Sequence, residues 1–385
     1  MDIEILKTRF YYTFVMFLLH FQFVPCFCYT TYLFGDSLVD AGNNNYLFTL
    51  SKADSPPYGI DFTPSGGQPT GRFTNGRTIA DIFNFLFNLI CSGEALGAKS
   101  FTSPYLKPDS AADAFDSGIN YASGASGILD ATGTLFIGRL PLNVQISNFE
   151  KTREYMVNTV GENGTSSFLK DAIFSLTTGS NDVINYFQFF SANVSRSAFQ
   201  DFMLYNLTMQ LKRLHGLGAR KFVVVGIGPL GCIPFIRATN LIPSGRCSDN
   251  INAFVMGYNQ KLKRELDQMN TNMGPNAVFV YANSYDIFMQ LILNYPNYGF
   301  DNSDGPCCGG YIPPFFCYKG KDDAADITSS SLCGDRKRYV FWDAYHPTEA
   351  ANLAVADKLL NGDQTNCSPM NIRQLYTHVF TTLHD

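Results

Sequence analysis

Short apolar runs that end near turn residues recur along the chain. They cover residues 32–34, 172–176, 221–225 and 276–281, and glycines follow the first three closely. Continuous apolar runs bounded by turn residues are typical of strands that are buried on both faces of a parallel sheet. The pattern therefore predicts four central parallel strands.

Apolar residues recur at helical spacing between these strands. Residues 143–156, 199–214 and 254–269 are predicted to be helices, the second of them ended by glycines. The predicted inward-facing side chains are Leu142, Val144, Phe149, Phe199, Phe202, Met203, Leu207, Leu211, Leu214, Leu262 and Leu266. The alternation of strand and helix predicts an α/β fold with right-handed crossovers and helices on both faces of the sheet.

The loops after the first two strands carry polar residues. Ser37 lies in the Gly-Asp-Ser-Leu run of residues 35–38, and Asn181 follows the second strand. In an open parallel sheet, ligands bind beyond the carboxyl ends of the strands. We therefore expect a site at this edge. The proline- and glycine-rich residues 55–76 should form an ordered loop near its mouth, and the cysteine-rich residues 301–335 a disulfide-stapled loop region.

The composition fits one large domain that does not bind nucleic acid. Of the 385 residues, 45% are hydrophobic and 16% are charged, and the formal net charge is -5. A chain of this length can bury a large core. No run of lysine or arginine forms the basic stripe that would neutralise a phosphate backbone, so we expect no nucleic-acid partner.

Residues 1–28 are predicted to be a secretory signal peptide. Lys7 and Arg9 precede an apolar run at residues 10–24, and the residues that follow allow cleavage near Cys28. A retained signal anchor is the alternative, but the run is shorter than the about 20 residues that a spanning helix needs. We therefore expect a secreted protein, extracellular or in the cell wall, with residues 29–385 as a single domain and no stable membrane span.

The cysteines and glycan acceptor sequences agree with secretion. Ten cysteines are present, and those that remain after signal removal are expected to form mostly disulfides. A zinc site is the alternative for Cys307, Cys308, Cys317 and Cys333, but adjacent cysteines rarely bind one tetrahedral ion. The predicted glycosylation sites are Asn163, Asn193, Asn206 and Asn366.

Three residues offer the chemistry of nucleophilic acyl transfer. A serine hydroxyl attacks an ester only when a base takes its proton and a third group orients that base. Of five histidines, only His346 lies in a motif, three residues after Asp343 and directly before Pro347. We therefore predict Ser37 as nucleophile, His346 as base and Asp343 as its orienting carboxylate. A chance Asp-x-x-His turn is the alternative for this pair.

Acyl transfer also needs donors for the developing oxyanion. The Asn181 side chain and the Gly124 backbone amide are the candidates, with a turn and tight packing as their respective alternatives. Asp36 and Asp40 are predicted to shape the serine loop by bonding to backbone amides. A cysteine nucleophile is disfavoured by the disulfide context, and no motif singles out a second acid for glycoside hydrolysis.

Six motifs together resemble one known family. From residue 34 to about residue 369 the chain is similar to the plant GDSL esterase/lipases, a branch of the SGNH hydrolase superfamily. The motifs that carry this resemblance are residues 34–45, 69–76, 120–127, 178–182, 228–232 and 343–347.

The resemblance implies a flavodoxin-like three-layer α/β/α sandwich with a central parallel sheet. It also implies a Ser37, His346 and Asp343 triad and an oxyanion hole made by the Ser37 amide, Gly124 and Asn181. No metal and no organic cofactor are implied.

Two departures from the family pattern stand out. Family members often carry a second glycine where this chain has Ala125. Residues 82–92, which include Cys91, are an insertion relative to the family, either a splicing or gene-model product or a local helix extension. Uniform presence of these codons in all transcripts would remove the first explanation. With Cys91 set aside, the remaining cysteines are odd in number, and at least one should be unpaired.

The predicted function is that of a secreted serine esterase or lipase, a monomer that acts on a small-molecule, lipid or cell-wall ester. Ser37 would form the acyl-enzyme, which water then hydrolyses. Transfer of the acyl group to an alcohol is the nearest alternative. A catalytically silent glycan-binding or cell-wall protein is the second, and the intact triad argues against it.

Overall fold

A mostly parallel sheet forms the centre of the fold. The computed structural model describes residues 30–83, 101–309, 317 and 331–380. Within them, the sheet has seven strands in the spatial order β2 (Ser103–Pro104), β3 (Ile119–Asn120), β1 (Thr31–Gly35), β4 (Ile173–Thr177), β5 (Lys221–Val225), β6 (Val278–Ala282) and β9 (Cys367–Ser368). Each neighbouring pair is parallel except β6 and β9. A separate parallel pair is formed by β7 (Asn302–Pro306) and β8 (Tyr339–Phe341).

The four predicted strands are confirmed as β1, β4, β5 and β6. They are aligned in register, so that their carboxyl ends lie along one edge of the sheet. One register row is aromatic: the rings of Phe174 and Phe222 lie 6.0 Å apart, and those of Phe222 and Phe279 lie 4.4 Å apart. Cross-strand aromatic pairs of this kind stabilise a sheet beyond the area they bury.

Helices flank the sheet and confirm the predicted α/β fold. Those that lie wholly within the described residues are, in chain order, α1 (Leu142–Asp171), α2 (Ser180–Asn185), α3 (Arg196–Gly216), α4 (Pro234–Thr239), α5 (Asp249–Met273), α6 (Ser284–Leu293), α7 (Glu349–Asn361) and α8 (Ile372–Thr377). The three predicted helices correspond to α1, α3 and α5, each longer than its apolar stripe. In α1 the backbone is kinked at Gly161, whose φ is 76°.

Most predicted inward-facing residues are buried, and two are not. In α3, Phe199, Met203 and Leu207 are buried, as are the later apolar positions of the stripe. Phe202 and Val144 are exposed, so both predictions were wrong. Phe202 directly precedes Met203, and adjacent helical positions are turned about 100° apart, so Phe202 falls outside the stripe that faces the sheet.

Disulfides account for the cysteines of the loop regions. The bonded pairs are Cys232–Cys247, Cys307–Cys333 and Cys308–Cys317. The zinc alternative for the last four is therefore wrong, because their thiols are consumed in disulfides. Among the described cysteines Cys367 is free and buried, which confirms the expected unpaired one.

Some sequence predictions fall outside the described residues. The signal at residues 1–28, most of the insertion at residues 82–92, and Cys91 lie there. Ile82 and Phe83, at the start of the insertion, are buried in the core. In the described part of the chain, no helix is both long and apolar enough to cross a bilayer.

The predicted loop of residues 55–76 is ordered by buried polar contacts. The Arg72 guanidinium donates to both carboxylate oxygens of Asp81 at 2.8 Å, and it lies 4.5 Å from the Phe62 ring. Thr74 Oγ1 donates to the Pro347 carbonyl at 3.0 Å. Arg72 also donates to the Ala41 carbonyl at 3.3 Å, so the loop fastens the chain that follows β1 to the segment that follows β8.

We predict that Arg72→Met strongly destabilises the protein. The substitution leaves the Asp81 carboxylate buried without its charged partner, a change that costs about 3–5 kcal/mol. Lys263→Met is the matched control, because its 2.9 Å pair with Asp267 is solvent-exposed and such pairs contribute at most about 1 kcal/mol. Urea unfolding measures both, and equal losses in the two variants would contradict the prediction.

Candidate active site

A cavity of about 170 Å³ opens at the carboxyl edge of the sheet. Ser37 follows the end of β1, Asn181 lies in the first turn of α2, and Asp343 and His346 follow β8. The cavity lining combines these four side chains with a largely apolar wall that includes Leu38, Leu50, Phe73, Phe136, Ile184, Leu230, Ile233, Phe288, Ile292 and Phe341. The sheet edge predicted to hold the site is therefore where the cavity lies.

The three residues predicted for acyl transfer form one line of contacts. His346 Nε2 lies 2.7 Å from Ser37 Oγ. His346 Nδ1 lies 2.8 Å from each carboxylate oxygen of Asp343. Asp343 and His346 are buried, whereas Ser37 is partly exposed toward the cavity. This geometry lets an imidazole take a proton from the hydroxyl while the carboxylate holds the ring.

The Asp-x-x-His segment is a self-bonded turn. Asp343 Oδ1 accepts from the backbone amides of Tyr345 and His346 at 2.8 Å each, as aspartates do in turns. The Trp342 amide donates to the His346 carbonyl at 2.7 Å, which closes the turn. Burial alone would raise the pKa of Asp343, but the neighbouring His346 and these hydrogen bonds hold it below its usual range. The carboxylate therefore remains ionised.

Two aromatic residues of the 55–76 loop also contact this line, and neither was predicted from the sequence. The Tyr58 hydroxyl donates to Asp343 Oδ2 at 2.8 Å. The Phe73 ring lies 5.3 Å from the His346 ring, centroid to centroid. Tyr58 packs edge-on against Phe73 and Trp342. The loop was predicted near the site, but no periodicity or motif distinguished these two rings from core aromatics.

Asp36 and Asp40 bond to backbone amides of the serine loop, which confirms their predicted structural role. Asp36 Oδ1 accepts from the Leu38 amide at 3.0 Å. Asp40 Oδ1 accepts from the amides of Gly42 and Asn43 at 2.7 Å each. These bonds fix the backbone on both sides of Ser37.

Gly124 does not fit its predicted role as an oxyanion donor. Its amide donates to Asp40 Oδ2 at 3.0 Å, and Gly124 is not among the residues that line the cavity. A Cβ at this position would lie 2.6 Å from the Phe73 ring and 2.7 Å from the Asn44 amide nitrogen. Gly124 is therefore explained by tight packing, the alternative considered for it.

Ala125, the next residue, lines the cavity beside Ser37. Its φ of 64° places the backbone in the left-handed region, which is unfavourable for alanine. Its amide donates to no acceptor within the described part of the chain. Strained non-glycine residues of this kind cluster at functional sites.

The loop that carries Asn181 is fixed by a buried aspartate. Asn181 Nδ2 donates to the Ser126 carbonyl at 2.8 Å, which leaves its second N–H for the cavity. Asp182 accepts from the amides of Ile128 and Leu129 at 2.9 and 3.0 Å. The start of α2 and the segment after Ala125 are therefore held together, and the two predicted donor regions lie side by side.

The four predicted glycosylation asparagines differ in exposure. Asn163 and Asn193 are exposed, whereas Asn206 and Asn366 are partly buried. Glycan attachment at each of them stays a prediction.

Three buried carboxyl groups near the site have raised pKa values. Burial raises the pKa of Asp36 to about 7 and those of Asp40 and Asp182 to about 6, although hydrogen bonds oppose the shift in each case. Asp36 Oδ2 is buried without a hydrogen-bond partner. Near neutral pH, Asp36 is therefore protonated in a large fraction of molecules.

We predict that, between pH 4 and 7, the free energy of unfolding falls less steeply in Asp36→Asn than in the unaltered protein. The folded pKa of Asp36, about 7, is higher than its ordinary value of 3.8. Its contribution to stability is therefore full below about pH 4 and is lost as the pH rises through 7. An amide does not ionise, so over this pH range the free energy of unfolding of the variant should fall by at least about 1 kcal/mol less than that of the unaltered protein. Urea unfolding at each pH measures this, and identical slopes for the two proteins would contradict it.

Comparison with known proteins gives consistent matches. The model of the family described as "GDSL-like Lipase/Acylhydrolase" matches residues 32–359. Three Arabidopsis thaliana proteins are similar over 90% of this chain: "GDSL esterase/lipase At5g41890" (60% identity, 93% of its length), "GDSL esterase/lipase At3g50400" (46%, 90%) and "GDSL esterase/lipase At2g23540" (45%, 87%). The matched span includes Ser37, Asn181, Asp343 and His346.

Proposed function

Because the chain belongs to the GDSL lipase/acylhydrolase family and is accordingly an ester-hydrolysing enzyme, we propose that it forms an acyl-enzyme on Ser37. The observation that carries this proposal is the 2.7 Å contact between Ser37 Oγ and His346 Nε2. The oriented imidazole is what a serine hydroxyl needs to become a nucleophile.

The proposed reaction has two balanced steps. His346 takes the Ser37 proton as Oγ attacks the ester carbonyl, and it then gives that proton to the departing alcohol. The alcohol leaves, and the acyl group remains bonded to Oγ. In the second step, His346 takes a proton from water as the water oxygen attacks the acyl carbonyl, and it returns the proton to Oγ. The carboxylic acid is released, and Asp343 remains ionised throughout.

The proposed oxyanion donors are the amides of Ser37 and Ala125 and the Asn181 side chain. We propose the Ala125 amide instead of the Gly124 amide predicted from the sequence, because the Gly124 amide donates to Asp40 whereas Ala125 lines the cavity. Donors held rigidly around the developing charge stabilise the transition state without reorganising.

We also propose that Tyr58 is a positioning residue. Its hydroxyl donates to Asp343 Oδ2, so it restrains the carboxylate that orients His346. Burial and then the charge of Asp343 raise the pKa of Tyr58 well above its ordinary value. The phenol therefore stays protonated and able to donate.

Secretion is part of the proposal. The three disulfides among the described residues support maturation in an oxidising compartment, since such bonds are rare in the cytosol. Detection of the chain in the culture medium or cell-wall fraction of an expressing plant cell, with an amino terminus near residue 29, tests it. A protein that stays intracellular with residues 1–28 intact would contradict secretion.

We predict that a fluorophosphonate probe labels the protein and that Ser37→Ala abolishes the label. The probe bonds to an activated serine, and the variant lacks the hydroxyl that attacks it. Ester hydrolysis should fall by at least about a thousandfold in the same variant. Ser126→Ala, which removes another buried hydroxyl in this region, is the control and should keep its label. Label that persists in Ser37→Ala would contradict the nucleophile.

A crystal structure of the labelled adduct tests the donors. The phosphonyl oxygen should lie at hydrogen-bond distance from the amides of Ser37 and Ala125 and from Asn181. A contact with the Gly124 amide in place of Ala125 would restore the prediction made from the sequence.

We predict that Tyr58→Phe lowers kcat roughly tenfold, the scale of one hydrogen bond to a charged group, and leaves KM unchanged. Without the phenol, one oxygen of the buried Asp343 carboxylate loses its donor and the carboxylate holds the His346 ring less firmly, so the loss should appear in kcat and not in substrate binding. Tyr32→Phe is the matched control, since its buried hydroxyl donates to the Ala114 carbonyl at 2.8 Å. A kcat that falls no further than in Tyr32→Phe, or a KM that rises together with the fall in kcat, would reduce Tyr58 to a structural residue.

A further inference from the structure

Six large apolar side chains are exposed on two neighbouring loops. We call them the apolar rim: Tyr46, Phe48, Leu50, Leu135, Phe136 and Ile137. Phe48 is 85% exposed and Leu135 is 66% exposed. Residues 45–51 and 133–138, which carry them, contain no charged residue, and the two basic residues that directly follow are engaged within the protein: Lys52 pairs with Asp54 at 3.4 Å, and Arg139 donates to the Thr132 carbonyl at 2.8 Å. Contiguous exposed apolar surface of this kind marks an interaction site.

Backbone hydrogen bonds hold the rim in place. The Leu50 amide donates to the Phe136 carbonyl at 3.0 Å, and the Gly138 amide donates to the Phe48 carbonyl at 3.1 Å. Thr49 and Ile137 form an antiparallel bridge between these bonds. The two loops are therefore one small, paired surface, and their exposed side chains are presented outward by a fixed backbone.

The rim is continuous with the active-site cavity. Leu50 and Phe136 belong to the rim and also line the cavity that holds Ser37. Leu38, Ile184 and Phe288 line the same cavity and add to its apolar wall. An apolar path therefore leads from the exposed rim to the nucleophile.

We propose that the apolar rim docks the enzyme on the surface of aggregated esters, that is, on a lipid surface that contains its substrate. This inference rests on the proposed function. The occupant follows from the position of the rim: a protein partner seated there would cover the cavity mouth, whereas an ester aggregate is both the surface that binds and the source of substrate. The hydrocarbon part of an ester then passes from the aggregate to Ser37 along the apolar wall of the cavity.

The absence of charge in both loops determines which force drives the docking. Binding is driven by removal of apolar surface from water and not by attraction to anionic headgroups. It should therefore persist at high salt, where attraction between exposed charges is screened. Neutral phosphatidylcholine vesicles are accordingly the first surface to test.

The kinetic test compares one ester below and above its solubility limit. For the unaltered protein, the hydrolysis rate of tributyrin should rise at least about fivefold when droplets form, since docking concentrates enzyme at the substrate. Phe48→Ser combined with Leu135→Ser should lose this rise and keep the rate on dissolved ester, because neither side chain lines the cavity. Leu241→Ser combined with Val379→Ser, both highly exposed elsewhere, is the matched control and should keep the rise.

A binding test is independent of turnover. Trp342 is the single tryptophan and is buried, so Phe48→Trp adds one exposed reporter at the rim. Its emission should shift to shorter wavelength on addition of neutral phosphatidylcholine vesicles, in low and in high salt. Leu241→Trp should show no shift.

Each result decides the inference. A rise at droplet formation that survives in the rim variant, or an unaltered protein without a rise, would overturn docking. Equal loss on dissolved and aggregated ester would identify the rim as part of the substrate cavity and would also overturn it. Failure of the proposed function is separate, because hydrolysis that persists in Ser37→Ala concerns the nucleophile and not the rim.

Discussion

The Asp343 carboxylate is buried and ionised, and such a group is stable only when donors reach both of its oxygens. Two of these donors are amides of its own turn, one is the His346 ring, and the last is the Tyr58 hydroxyl. Satisfying this one charge therefore sets the shape of the turn after β8, the orientation of the imidazole and the position of a loop almost three hundred residues away in sequence. The rest of the site is arranged around this charge, because the ring that it holds is the ring that reaches Ser37.

The central sheet determines where the site residues lie. Four in-register strands deliver the serine loop and the start of α2 to one edge, and these strands were predictable because a fully buried strand needs an unbroken apolar run. The edge strands β2 and β9, and β3 beside β2, have two residues each, too few for any pattern to stand out. Helices were predicted where one face is apolar over several turns. Phe202 and Val144 were misplaced because large apolar side chains also occur outside the stripe, where sequence alone does not distinguish them.

For the site, local motifs were more informative than distant contacts. Ser37, Asp343 and His346 were identified because their motifs combine chemically distinctive residues, and the structure brings them into contact. Tyr58 and Phe73 were missed because their partners lie in another loop, and an aromatic residue in a 15% aromatic chain carries little signal. Gly124 was chosen for its small size, which here makes room for Phe73 and Asn44. Only the folded backbone shows that its neighbour Ala125 faces the cavity.

The left-handed backbone at Ala125 has a consequence for how such an enzyme diversifies. In the proposed arrangement, two of the three groups around the reacting oxygen are main-chain N–H groups, which no amino-acid exchange other than one to proline removes. Side chains along the cavity wall can therefore change to suit a different ester. The main-chain donors at the polar end of the pocket stay in place as long as the backbone keeps its conformation. Surveys that replace one side chain at a time would overlook such donors, since the N–H that acts is present in every variant except proline.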